Sequence, residues 1–266
     1  MSFLYFLENL RTPFLDSIML LVTRLGEESV FLLLALLMLW CVDKKHGYAL
    51  LITGFMGILI NQTLKLTFRI PRPKILDPQF TVVEGATEAA TGYSFPSGHT
   101  QSVTCVFGSL GVYFKRTWPR VLCALAILIV ALSRMYLGVH TPLDVGVSLL
   151  IGALLVLVIH PLLLRALQQP RTAWWVFGSL VLLATLFVLY VECFPFPADI
   201  DLSNWQSGRK NAYTMLGCAC AVLPVYALDT RRIHFQTKAP LPAQLLKLVL
   251  GAALTVALKA ILEQPL

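Results

Sequence analysis

Apolar runs of about 17 to 25 residues, the length that crosses a bilayer core as a helix, recur along nearly the whole chain and are broken by short polar or basic stretches. Bounded by charge, Pro or Gly, they predict spans at roughly 27–42, 47–67, 98–114, 120–137, 143–164, 173–193, 211–228 and 241–262. The stretch 12–24 is apolar but shorter and holds Asp16 and Arg24. It reads as an interfacial or partly inserted helix, with a full span as the alternative. The pattern therefore predicts an all-α fold, a polytopic membrane helical bundle of about eight spans plus an N-terminal interfacial helix. No tandem repeat or low-complexity tract interrupts it, and the longest polar stretches are 69–96, 194–210 and 229–240. We divide the chain into an N-terminal helix at 1–26, a core at 27–165 and a C-terminal extension of three spans at 166–266.

Composition agrees with the pattern. Apolar residues make up 57% and charged residues 13%, against about 25% charged in soluble domains, which excludes an ordinary soluble protein and makes membrane lipids its surroundings. The formal net charge is +7. Its Lys and Arg are scattered over short loops with no basic face interleaved with aromatics, so no nucleic-acid partner is expected. Five of the six cysteines, Cys41, Cys105, Cys123, Cys218 and Cys220, lie within or at the ends of apolar runs and Cys193 lies near a boundary; no structural disulfide is expected. The N-terminal MSFLYFLENLRTPFLDS has no basic leader before an apolar run, so it is not expected to be a removable targeting peptide.

Charge also gives an orientation. Span parity collects Lys44, Lys45, Lys115, Arg116, Arg120, Arg165, Arg171, Arg231, Arg232 and Lys238 on one face, and Arg69, Arg72, Lys74, Arg134, Arg209 and Lys210 with Asp77, Glu84, Glu88, Asp199 and Asp201 on the other. The positive-inside bias makes the first face cytoplasmic. The loop 69–96, the turn at 138–142 and the loop 194–210 then share the extracytoplasmic side.

Three segments carry chemistry. In KLTFRIPRP, Lys65 and Arg72 are seven residues apart near a span end, and two helical turns would set both cations on one face. Two cations facing one point suit an anion; snorkelling to the headgroups is the competing use, and it fits Arg69 and Lys74 best. Lys65 lies deeper in the apolar run, where an ionisable residue is a functional candidate. In YSFPSGHTQS, Ser97 is a natural N-cap before a helix whose first N–H groups, at Gly98 and His99, can bind an anion. In SRMYLGVHTPLD, Arg134 nears a helix end, Gly138 ends it, and His140 stands four residues before Asp144. Thr141, Pro142 and Asp144 also make a good helix start, so Asp144 can cap, orient His140, or do both.

Parity puts all three segments on one side. Two histidines, three cations, a helix N-terminus and a carboxylate are what phosphoryl transfer through a histidine requires. Metal binding is the rival use of the histidines. With no Cys nearby and cations that repel a metal ion, no metal site is expected.

The segments also resemble a known signature. KxxxxxxRP, PSGH and SRxxxxxHxxxD, here Lys65 to Pro73, Pro96 to His99 and Ser133 to Asp144, are similar to the three-part signature of the type 2 phosphatidic-acid phosphatase superfamily, which includes vanadium haloperoxidases. TRLGEES at 23–29 also looks like the segment before the first core helix in membrane members. The resemblance implies a helical bundle with a metal-independent, cofactor-free phosphatase site at the outer membrane surface. It implies His140 as the nucleophile that forms a phosphohistidine, Asp144 as its orienting group and His99 as the acid for the leaving oxygen. Lys65, Arg72, Arg134, Ser97 and the Gly98 backbone would hold the phosphate.

The expected substrate is a lipid phosphate or diphosphate, such as a polyprenyl diphosphate, phosphatidylglycerophosphate, phosphatidate or a sphingoid phosphate. A sugar-phosphate phosphatase similar to the glucose-6-phosphatase branch is the enzymatic alternative. A lipid-anion transporter or scaffold without turnover is the non-enzymatic one. The double histidine argues for catalysis, since binding an anion needs neither nucleophile nor acid. The C-terminal spans carry no assignable motif, and Glu192, Asp199, Asp201, Trp205 and Arg209 read as interface anchors or a lid.

Overall fold

The computed structural model describes residues 1–87 and 90–262. Glu88, one of the acids expected on the extracytoplasmic face, lies outside the described residues. Among these the chain is 78% helical with no strand. Helices α1 (Ser2–Asn9) and α2 (Pro13–Thr23) lead through a tight turn at Arg24–Gly26 into α3 (Glu28–Leu37), which ends in a widened π-helical turn, Met38–Val42. Then come α4 (Lys44–Phe68), the short α5 (Pro73–Leu76) and a long connection. It is followed by α6 (Gly98–Tyr113), α7 (Thr117–Tyr136), α8 (Pro142–Leu154) and, past a second π-turn, α9 (His160–Ala166). The chain closes with α10 (Pro170–Cys193), α11 (Leu202–Leu228) and α12 (Leu241–Leu262).

Local sequence sets the ends. Asp43 caps α4 by accepting from the His46 N–H, Ser97 caps α6, and Asp201 caps α11. Each side-chain oxygen satisfies a backbone donor that the first helical turn leaves unpaired. Thr141 and Asp144 complete a reciprocal capping box on α8 with Pro142 in its first turn. Gly138, at φ +83°, ends α7 in a conformation that a side chain would disfavour, and so turns the chain back toward α8.

Helix α4 is the axis of the bundle. Its Leu50 packs with Phe31, Ala35 and Met38 near α3 and with Val106 of α6. Phe55, Leu59 and Leu66 meet Leu180, Ala184 and Phe187 of α10 and Ala212, Met215 and Ala219 of α11. The outer faces of the bundle expose Leu125, Leu128, Leu150, Leu157, Leu182 and Leu186. So much apolar surface would be an association liability in water and is the expected face toward lipid.

Among the described residues, five helical stretches are by length and composition fit to cross a membrane: Lys44–Leu76, Thr117–Tyr136, Pro142–Ala166, Pro170–Cys193 and Leu202–Ile233. A sixth arises if Pro13–Gly26 and Glu28–Val42, bent by 51°, form one broken span. The sequence pattern counts about eight because it takes 98–114 and 241–262 as full spans. Helix α6 has 16 residues, short of the about 20 that a straight span takes; Pro96 and the Ser97 cap set its start. The stretch 12–24, expected as an interfacial or partly inserted helix or else a full span, falls in the first limb of that bent pair, Pro13–Gly26.

The two ends of the bundle are distinct. Lys44 pairs with Asp229 at 2.7 Å. The His46 ring meets Tyr113, Arg120 donates to the Phe114 carbonyl, and Arg231 lies over Trp174. These contacts gather one set of basic loops at one end. The other end holds the C-termini of α4 and α7 and the N-termini of α6 and α8, where the three sequence segments converge.

Candidate active site

The last turns of two helices deliver buried cations. Lys65, 5% exposed on α4, donates from Nζ to the Tyr93 carbonyl. Arg134, fully buried at the end of α7, donates from Nη1 to Thr23 Oγ1 at 2.7 Å, while its Nε and Nη2 have no hydrogen-bond partner. Between them Arg72 donates to the carbonyls of Val139 (3.0 Å), Thr91 (2.9 Å) and Gly92 (3.0 Å). That links the 77–97 connection to the turn that carries His140. Within this connection Val83 and Ala86 cluster with Tyr136, Leu137 and Val139.

His140 is 2% exposed. Its Nδ1 lies 3.5 Å from Asp144 Oδ2 and 3.5 Å from Ser94 Oγ, so Nε2 is the nitrogen left for a ligand. Asp144 Oδ2 accepts from the Ser94 hydroxyl at 2.6 Å and from the Thr141 N–H at 2.8 Å. The carboxylate thus caps α8 and backs the histidine at once, and both sequence uses of Asp144 coexist. The Ser97 N–H donates to the Asp144 carbonyl at 3.2 Å, which stitches the start of α6 to the start of α8. Burial, with help from Arg72, Arg134 and Lys65 and against the Asp144 hydrogen bond, holds the His140 imidazole well below its ordinary value. That environment favours the uncharged imidazole.

Lys65, Arg72, Gly98, His99, Arg134 and His140 line one cavity of about 580 Å³, large enough for a small-molecule site. His99 Nε2 is buried with no hydrogen-bond partner. Asp144 stands behind His140. Ser97 does not line the cavity; its hydroxyl pairs with Thr100 Oγ1 at 2.9 Å and accepts from the Thr100 N–H, so its side chain serves as the cap. Cations taken out of water and left with unsatisfied donors are costly until an anion arrives. Among the described residues no group of three His, Cys, Asp or Glu side chains is placed to hold a metal ion.

Sequence reasoning missed Ser94, Thr23 and the α11 wall. Ser94 stands in YSFPSGHTQS two residues before Pro96, and Thr23 opens TRLGEES, so both lie within the quoted segments but outside the positions to which those segments give a role. Ser207, Lys210, Asn211 and Thr214 of α11 also line the cavity. Their spacing of 0, 3, 4 and 7 residues on one helical face was a signal the sequence did carry.

Residues 45–168 match the model of the PAP2 superfamily. Over 146 residues the chain is 32% identical to undecaprenyl-diphosphatase BcrC of Bacillus subtilis, covering 53% of this chain and 71% of that protein. Over 234 residues it is 29% identical to human sphingosine-1-phosphate phosphatase 2, covering 85% of this chain and 54% of that protein. Among solved structures, Aquifex aeolicus LpxE superimposes with a TM-score of 0.52 at 27% identity, over 60% of this chain and 93% of that one. The matched stretch contains Lys65, Arg72, His99, Arg134, His140 and Asp144, all of which the fold brings to one end of the bundle. By sequence, by architecture and by the residues around its cavity, the chain belongs to the PAP2 superfamily.

Proposed function

We propose that the protein is an integral-membrane phosphatase that removes phosphate from a lipid phosphate or diphosphate through a phosphohistidine on His140, at the extracytoplasmic surface. The observation that carries this reading is a buried histidine, backed by Asp144 and Ser94, facing a cavity with unsatisfied cationic donors. Its relatives include an undecaprenyl-diphosphatase, a phosphatidylglycerophosphatase and sphingosine-1-phosphate phosphatases.

In this mechanism Lys65, Arg72 and Arg134 hold the non-bridging oxygens and stabilise the charge spread over them in the transition state. Nε2 of His140 bonds to phosphorus as the bond to the leaving oxygen breaks. Asp144, across from Nδ1, stabilises the resulting cationic imidazole. The incoming phosphate favours the protonated form of His99, which gives its proton to the leaving oxygen. Water, deprotonated by the now neutral His99, then displaces the phosphoryl group, releasing inorganic phosphate and restoring His140.

The direct test is phosphate release by purified protein in detergent with chelator, across lipid phosphates, a lipid diphosphate and a sugar phosphate. Release from the lipid substrates in chelator is expected. Release from none, or activity that only a divalent ion restores, would overturn the reading. The sidedness rests on the excess of Lys and Arg at the opposite end. A reporter fused near residue 116 or 232 should behave as cytoplasmic and one inserted near 203 as external; the reverse would place the site inside.

A further inference from the structure

We propose that the polar face of α11 is a second anion subsite, which receives the phosphate next to the scissile phosphorus and makes lipid diphosphates the preferred substrates. This rests on the phosphatase reading above and names its substrate class. Helix α11 lies outside the stretch that matches the family model, and nothing in the three signature segments assigns it a role.

Four of its residues, Ser207, Lys210, Asn211 and Thr214, line the phosphate cavity. Helix α11 packs on α4 and α10, whereas His99, Arg134 and His140 come from α6, α7 and the turn before α8, so its polar face forms a separate wall. The docking is close. A Cβ on Gly208 would come within 2.8 Å of Leu66 Cδ1, beside Lys65 in sequence, and this contact fixes the register in which Ser207, Lys210 and Asn211 meet the cavity.

Neighbouring cations on α11 behave differently. Arg209 is used up in structure: its Nε donates to Glu192 Oε1 at 2.5 Å, and its guanidinium lies over the rings of Trp205 and Tyr213. Lys210 has no carboxylate within ion-pair distance among the described residues, although it faces the same cavity as the phosphate-holding cations. Glu27 and Glu28 also line the cavity at the start of α3; Glu27 accepts from the Ser29 hydroxyl at 3.2 Å, and neither pairs with Lys210. Lys210 is exposed on this wall beside Asn211 and Thr214, so its ammonium is within reach of an anion that enters the cavity. Three cations already surround the position facing His140, so the α11 wall suits a further anionic group.

A diphosphate provides one. With the terminal phosphate among Lys65, Arg72 and Arg134, Nε2 of His140 bonds to the terminal phosphorus and the bond to the bridging oxygen breaks. The electron pair leaves on the inner phosphate, held by Lys210 and Asn211. Water then releases inorganic phosphate from His140, and the lipid monophosphate departs.

The test compares farnesyl diphosphate with farnesyl phosphate, by phosphate release in detergent with chelator, for wild type, Lys210→Met and Lys210→Arg. The wild type should favour the diphosphate. Lys210→Met should lower the diphosphate-to-monophosphate ratio of kcat/KM about ten- to a hundredfold, the effect of one charge-assisted hydrogen bond, and Lys210→Arg should recover most of it. An unchanged ratio, or a wild type active on the monophosphate alone, would overturn this proposal and leave the phosphatase reading standing. A wild type active on neither would overturn both.

Discussion

Each end of the bundle buries a histidine, and the two have different surroundings. His140 lies at the end where α7 turns into α8, with a carboxylate and a hydroxyl at Nδ1 and a cavity at its other side. His160 lies toward the other end, where α8 passes into α9, 1% exposed, with Nδ1 at 3.0 Å from Thr53 Oγ1 and no partner for Nε2. It lines no part of the cavity that His140 faces. The cations differ in the same way. At the first end Lys65 and Arg134 are buried and Arg134 keeps two donors without a partner; at the second, Lys44 is matched to Asp229, and Lys44 and Lys247 lie over Phe235. A buried histidine or a cluster of lysines is therefore not by itself a site. What distinguishes the reactive end is an oriented imidazole, unsatisfied donors and a space where both meet.

The contrast ranks the expected effects of substitution. His140→Ala should remove turnover altogether, as no atom remains to accept the phosphoryl group; residual activity above a small fraction of wild type would show that another group attacks. His99→Ala should cost about 10² to 10⁴ in kcat on an alkyl lipid phosphate, the usual share of general-acid help, and less on an aryl phosphate whose leaving group needs little protonation. An equal loss on both would deny His99 the role of acid.

Asp144→Asn should come next, since an amide can keep the α8 cap but weakens support for the cationic imidazole. A pH profile separates its role in orientation from one in folding. A histidine with a lowered pKa stays neutral as pH falls below the ordinary value of 6.5, so the acid limb set by His140 should lie below that pH. The Asp144 hydrogen bond is the contribution that raises it, so Asp144→Asn should move the limb lower still. A limb at or above pH 6.5 in the wild type would contradict an environment that favours the uncharged imidazole. The smallest effect on activity belongs to the other histidine. His160→Ala should leave kcat/KM close to wild type while lowering thermal stability by about 1 to 3 kcal/mol for lost packing and a lost hydrogen bond; a large loss of activity at unchanged stability would join the two ends.

Much of the reactive end was legible in sequence because its chemistry is local. Lys65 and Arg72, Gly98 and His99, and His140 and Asp144 occur as short spaced sets, and parity alone suffices to bring them to one side. Ser94 and Thr23 were not legible. They act by touching Asp144 and Arg134 across 50 and 111 residues, and a lone hydroxyl has no pattern. The span count differs for a related reason. An apolar run records what can lie in lipid, whereas the Ser97 cap sets where α6 starts and α2 bends into α3. On α11 the polar stripe was present in the sequence but lies beside Trp205 and Arg209, which read as interface anchors and drew attention from Lys210.

The central claim is that His140 carries the phosphoryl group. A rapid acid-free quench of wild-type protein with a ³²P-labelled substrate, followed by peptide mapping, addresses it directly. The account requires a phosphorylated species that is stable in alkali and labile in acid, as a phosphoramidate is, located on the peptide containing His140 and absent from His140→Ala. A phosphorylated His140→Ala protein, or label placed on another residue of the wild type, would contradict it.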